Sequence, residues 1–411
     1  MRNFVSWFSV GILAIGAGCG EEAGVSHGGR SLGLTSIPFS YTDTAMLGQG
    51  VDSLRFEVLG SKCLEGTTVE QTNTLSDLRY SKDLSFEQIY SKISGNLEAG
   101  FDFPTVKAGG SVDIAKQWGT DTYSETHHVY WLAVSGQAFY LPGSLALSET
   151  GALVSERQPQ NLYRICGDEY IAKIFRGAFI MATLRMDFVN AYDKTDLSGK
   201  LTVDVGAGRV AVDGSLQYVS QKKKERSQIT IGIRQFGGNP QGLLGILDQD
   251  ILTCSMANMG PCVLTFANLM VYMRDDFKRQ LADPQSWNVL KYETRRYDET
   301  TLASLVPESY PALAPEVEEV LFATEMGLVR ALRDSERAAR LRTTAAPLLA
   351  AAQYEKILAV EEAASANAML WKRVGKVCYA SPDERCLRAR DRLLAELVTY
   401  DLADLDIGFV Y

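Results

Sequence analysis

Two textures divide the chain and limit its fold. From about Ile37 to Tyr297, apolar and polar residues alternate among frequent Gly, β-branched and aromatic positions, as half-buried strands require. From about Pro311 onward, Ala, Leu, Glu and Arg dominate, and apolar residues recur at helical spacing: Val317, Val320, Leu321, Leu328, Val329, then Ile357, Leu358 and Leu370. Strands followed by helices predict an α+β protein, with a β-rich domain over 37–300 and an α-helical C-terminal domain over 301–411. Pro311, Pro315 and Pro347 mark helix starts or breaks. The 411 residues, 46% hydrophobic, are enough for two domains.

Ahead of the folded part, Arg2 precedes an uncharged apolar run from Phe4 to Gly18. That run is the length of a signal-peptide core and shorter than the roughly 20 residues of a spanning helix. It ends in Gly16-Ala17-Gly18-Cys19. Small residues directly before a Cys resemble the bacterial lipobox, with Gly16 where Leu is customary. The resemblance implies a leader over 1–18 and a lipid such as palmitate on Cys19. It also implies an exported protein anchored to the outer membrane or cell surface. Ordinary secretory cleavage near Gly18 or Gly20 is the alternative, and it leaves an odd Cys. Residues 19–36, rich in Gly and Ser, read as a flexible tether.

Seven Cys minus Cys19 leave six, which suits an oxidising compartment. Cys254 and Cys262 bracket one short loop, Cys378 and Cys386 another, and Cys63 and Cys166 remain as the third pair. Six Cys allow fifteen connectivities, so this pairing is a preference. Zinc is the rival reading, but there is no CxxC, and His27, His127 and His128 are the only His residues. No metal or cofactor is expected. A net charge of −9 argues against nucleic acid as a partner.

Two segments each show two alternating arms with a slip between them. In the first, Leu97, Ala99, Phe101 and Phe103 share a face, Pro104-Thr105 interrupts, and Val106, Ala108, Gly110, Val112 and Ile114 continue. In the second, Leu201, Val203, Val205 and Ala207 share a face, Gly208-Arg209 interrupts, and Val210, Val212, Gly214, Leu216 and Tyr218 continue. Both predict amphipathic hairpins, with one dry and one wet face. Such ribbons suit a soluble core or a barrel wall in lipid.

Between these segments lies Cys166-Gly167-Asp168-Glu169-Tyr170, and after the second one Ile229 to Phe236 runs into Gly237-Gly238. This order resembles the membrane attack complex/perforin (MACPF) superfamily, which includes the cholesterol-dependent cytolysins. Gly167 and Tyr170 agree with the family signature, whereas Cys166, Asp168 and Glu169 depart from its best-known form. The resemblance spans roughly residues 40–300 and implies a bent antiparallel sheet with flanking helices. Gly237 and Gly238 would fall at its bend, and the two amphipathic segments would be its inserting hairpins. It further implies membrane lipid as partner and target, a homo-oligomer, and pore formation. A non-lytic surface lipoprotein for adhesion or ligand binding on the same fold is the alternative.

Lys222-Lys223-Lys224-Glu225-Arg226 is the strongest basic run in an acidic chain. It reads as a solvated turn or as a contact for anionic headgroups or a neighbouring subunit. No G-x-S-x-G, Walker loop or H-E-x-x-H occurs, so an enzyme is the third reading. His127-His128 and Asp168-Glu169 are adjacent pairs whose side chains diverge on a strand, which suits neither a shared metal nor acid/base catalysis.

Overall fold

The computed structural model describes residues 36–38, 45–85, 88, 89, 92, 115, 117–247, 251–307, 312–346 and 349–407. Cys19 lies outside the described residues. So does the first amphipathic segment, with Leu97, Phe101, Phe103, Val112 and Ile114.

Short strands β1 (Ser36–Pro38), β2 (Gln49–Asp52), β3 (Glu57–Lys62) and β4 (Leu64–Glu65) precede the long β5 (Thr68–Lys82). Two longer ones follow, β6 (Ser124–Tyr140) and β8 (Glu169–Asp187), with β7 (Ala146–Leu147) between them. A separate hairpin, β9 (Leu201–Asp204) and β10 (Arg209–Val212), precedes β11 (Gln228–Phe236), β12 (Ile251–Ser255) and β13 (Asn288–Arg296). The helices used below are α1 (Glu149–Arg157), α2 (Leu162–Cys166), α3 (Ala191–Leu197), α4 (Gln221–Arg226), α5 (Gly260–Tyr272), α6 (Pro315–Thr344), α7 (Ala351–Ala380) and α8 (Glu384–Glu396).

Nine strands form one sheet, and its long pairings are antiparallel. β5 pairs β6, and β6 runs beside β8 for most of its length. On the other side of β8, two strands lie end to end: β13 beside Glu169–Gly177 and β11 beside Phe179–Asp187. At the level of that junction the register shifts in β6 between Val134 and Gly136, and in β5 between Thr72 and Leu75. A line of irregular pairing therefore crosses the sheet, and such irregularities bend strands and increase their twist. At Gly177 a Cβ would lie 1.8 Å from the Ala133 carbonyl oxygen, so glycine permits the strands' close approach there.

Central strands buried on both faces read as apolar runs, as Gly177–Asp187 of β8 largely does; Ser124–Trp131 of β6 is buried throughout as well, but opens on Ser-Glu-Thr-His-His, whose side chains are hydrogen-bonded. Val129, Trp131, Ile180, Ala182 and Leu184 point into a core completed by α5 through Phe266 and Leu269. Tyr130, Phe179 and Met181 point the other way, into a core with Val317, Val320, Leu321, Leu328 and Val329 of α6. Sheet and C-terminal helices thus share a core, and Gly33–Tyr411 forms one compact unit. Pro315 occupies the first turn of α6, where a missing N–H costs nothing.

Disulfides join Cys63 to Cys166, Cys254 to Cys262 and Cys378 to Cys386, the pairing preferred from the spacing. Among the described residues, no helix is long and apolar enough to cross a membrane.

Candidate membrane-interaction site

β5 ends at Lys82 opposite His127, and β6 begins at Ser124 opposite Asp187. β8 ends at Asp187, and β11 begins at Gln228 opposite that same Asp187. Both long connections, residues 83–123 and 188–227, therefore leave one end of one sheet. Each contains one of the two amphipathic segments.

The connections cover opposite faces. In the first, Leu84, Ile89, Ala115 and Trp118 are buried with Tyr130 and Met181. The Trp118 ring lies on Gly232 of β11, where a Cβ would stand 2.0 Å from it. In the second, Leu197, Leu201, Val203 and Leu216 are buried with Leu184, Ile229 and Ile231. Lys194 Nζ donates to the Thr122 carbonyl at 3.0 Å and so ties one connection to the other.

Within the second connection the expected hairpin is shorter than the alternation predicts. β9 and β10 pair over Leu201–Asp204 and Arg209–Val212, with Val205 and Val210 partly buried and Val212 exposed. Gly214–Tyr218 is a 3-10 turn that returns Leu216 to the core and leaves Tyr218 exposed. The cause is local: the Asp213 carboxylate accepts from the Ser215 N–H at 2.6 Å, which favours a turn over a strand.

Polar groups hold this end of the sheet closed. The buried Glu125 carboxylate accepts from Lys82 Nζ at 2.8 Å, from the Gly199 N–H at 2.8 Å and from the Ser198 hydroxyl, and it lies 3.1 Å from His127 Nε2. Burial opposes its charge, yet hydrogen bonds from His127, Lys82, Ser198 and Gly199 hold its carboxyl down at about 2. Two of those partners, Ser198 and Gly199, belong to the second connection.

On the opposite face the buried Arg185 donates to Asp187 at 2.8 Å, to Asp121 at 2.7 Å and to the Gly119 carbonyl. Burial opposes the Asp121 charge too, but Arg185, Arg337 and Arg340 bring its carboxyl far below the usual range. Arg340 of α6 donates to Asp187 at 3.2 Å and to the Gln117 carbonyl. Arg337 donates to the Phe188 and Val189 carbonyls at 2.9 Å each and packs over the Tyr123 ring. α6 therefore grips the end of the first connection and the start of the second.

Sequence reading missed this clamp. Its signal was the 3-4-3 spacing of Arg330, Arg333, Arg337 and Arg340, which puts four guanidiniums on one face of α6.

The candidate signature lies at the far end of β8. Gly167 has φ +74°, and a Cβ there would sit 1.9 Å from the Val51 carbonyl oxygen. The buried Asp168 accepts from the Ser53 N–H at 2.8 Å and from its hydroxyl at 2.5 Å, and burial pushes its carboxyl up. Glu169 accepts from the Thr294 hydroxyl, and Tyr170 packs beside Tyr297. These contacts fasten β8 to its neighbours. Gly237 and Gly238, with φ of +73° and +72°, follow β11 where it ends beside Gly177 and Ala178, and the Gly238 N–H donates to the Ser286 carbonyl at 2.7 Å.

The basic run forms the short helix α4 in place of a solvated turn. Lys222 is exposed and Lys224 half-buried, while Lys223 pairs with Asp196 and Arg226 is buried against Asp193. Arg226 is thereby withdrawn from any exposed patch. His127 meets the Tyr80 hydroxyl at 2.7 Å, whereas His128 points to the other face and meets Thr183 and Thr126 at 3.0 Å each.

No family model matches this sequence, and no curated protein does. Solved structures similar to the chain include MACPF/perforin-domain proteins and cholesterol-dependent cytolysins. With stonustoxin the identity is 8% and the TM-score 0.39, covering 89% of this chain and 45% of that one. With a putative cell invasion protein with a MAC/perforin domain from Bacteroides thetaiotaomicron they are 10% and 0.28, covering 70% and 60%. A non-hemolytic pneumolysin from Streptococcus pneumoniae gives 12% and 0.29, covering 54% and 40%. The chain spans between 40% and 60% of the length of these structures.

Proposed function

We propose that this chain is a membrane-active lipoprotein of the pore-forming type, exported and tethered through lipid on Cys19 at the outer membrane or cell surface. It would oligomerise on a target bilayer and insert hairpins drawn from residues 83–123 and 188–227. One observation carries the reading: both connections leave the same end of one antiparallel sheet, on opposite faces, and each contains an amphipathic segment. Each is long enough for two membrane strands of roughly 9 to 11 residues.

Insertion extends β5, β6, β8 and β11 beyond their present ends. Backbone groups in lipid must all be paired, so the inserted strands close into a barrel built from several subunits. Among the described residues β5 pairs only with β6, and β12 covers β11 only over Gln228–Gly232, which leaves edges for a second copy. Release of the second connection exposes Leu197, Leu201 and Leu216, at about 1.5–3 kcal/mol each, until lipid covers an apolar face again.

Dye release from liposomes tests the reading. Thr122→Cys with Lys194→Cys, joined by a short bis-maleimide, locks the two connections together. The unlinked variant should release dye and the linked one should not. Failure of the natural chain to release dye from zwitterionic and anionic liposomes, with no rings by electron microscopy, would overturn insertion and favour a non-lytic adhesion role.

A further inference from the structure

We infer that the cavity between α6 and the end of the first connection is a binding site for a phosphate-bearing ligand. The cavity measures about 470 Å3, and its walls include Tyr123, Arg330, Arg333, Asp334 and Arg337. Arg330 and Arg333 are exposed, and among the described residues neither makes a hydrogen bond or an ion pair. Arg337 is only 5% exposed. Its terminal nitrogens donate to the carbonyls of Phe188, Val189 and Leu405, and its Nε is buried without a partner. No carboxylate of the described residues lies within ion-pair distance of it.

Two carboxylates also line the cavity, and both are engaged. Asp121 is held by Arg185 at 2.7 Å, and Asp334 accepts from the Tyr400 hydroxyl at 2.7 Å. Three guanidiniums, of Arg330, Arg333 and Arg337, face these two carboxylates, so positive charge is in surplus at the mouth. Arg330 and Arg333 stand one helical turn apart, which makes them neighbours at the cavity within reach of one anion, and guanidinium forks match phosphate oxygens in pairs. The exposed side chains of Met326 and Leu402 at the same cavity suit an apolar portion next to the phosphate. The shared chemistry is a phosphate group, supplied by a lipid headgroup or by a free phosphate compound. The site stands apart from insertion, because its occupancy is read without a bilayer.

Isothermal titration of the full chain in nonionic detergent tests it, with inorganic phosphate and with monomeric dihexanoyl phosphatidylglycerol as probes. The inference expects saturable binding of at least one probe. Arg330→Gln with Arg333→Gln should weaken it by roughly tenfold or more, without moving the unfolding midpoint. Lys222→Gln with Lys224→Gln should leave it unchanged. Tighter binding of the lipid assigns the site to a headgroup, and equal or tighter binding of phosphate assigns it to a free phosphate compound. No saturable binding of either probe, or undiminished binding in the arginine variant, overturns the inference.

Discussion

β8 is held differently at its two ends. Where it begins, the Cys63–Cys166 disulfide leads directly into it, the Tyr297 hydroxyl donates to the Cys166 carbonyl at 2.9 Å, and Asp168 fastens Ser53. Where it ends, Arg185, Arg340 and Glu125 hold the two connections through ion pairs and hydrogen bonds. Neither connection contains a cysteine, so all six disulfide cysteines lie outside them. One end is covalent. The other is held by bonds that water, lipid or a second subunit can replace, as a segment that leaves its sheet requires.

The contrast yields three tests in order of effect. Cys63→Ser with Cys166→Ser opens a loop of sequence separation 103, worth about 4 to 5 kcal/mol on loop-entropy grounds. Cys254→Ser with Cys262→Ser, at separation 8, should cost about 2 to 3 kcal/mol, and denaturant midpoints rank the two. An equal loss would remove the first disulfide's special weight.

Next, Arg185→Met takes the ion-pair partner from Asp121 and leaves Asp187 with Arg340 alone, and should cost about 3–5 kcal/mol, with faster hydrogen exchange in residues 117–121. A shift below about 1 kcal/mol would show that ion pairs do not hold this end.

Acid supplies the smallest effect. Burial keeps the His128 imidazole down at about 3, with the nearby His127, Arg185 and Lys92 adding to it. The unfolded chain takes up that proton near pH 6.5, so the folded state keeps its full margin above about 6.5 and loses it as pH falls toward about 3. At about pH 5 the loss is about 2 kcal/mol. Glu125, whose carboxyl lies at about 2, acts in the same direction below its ordinary value of 4.5. Thermal midpoints should fall from about pH 7 to 5, and His128→Gln should flatten that slope.

Much of the fold was legible because its causes are local. Period-two alternation marked the strands, Pro315 marked the start of α6, and the short spacings of Cys254/Cys262 and Cys378/Cys386 suggested their pairing. The second hairpin was overread because strand and turn compete residue by residue. The Asp213 carboxylate ends β10, and Asp-Gly-Ser at 213–215 was the sign of it. Arg185 could not be read as the centre of a clamp, since Gly119, Asp121 and Asp187 are brought to it by strand pairing and by the return of the first connection.

By itself, then, the order of residues determined most element types and placed the two amphipathic segments along the chain, and it gave as an expectation a leader over 1–18 ahead of Cys19. Tertiary structure alone decided that both connections leave one end of one sheet, that they cover opposite faces, and that a column of arginines on α6 meets them there. The reason is range: periodicity and turn chemistry act over a few residues, whereas Arg340 and Asp187 are 153 residues apart and meet only because the C-terminal helices pack on the sheet.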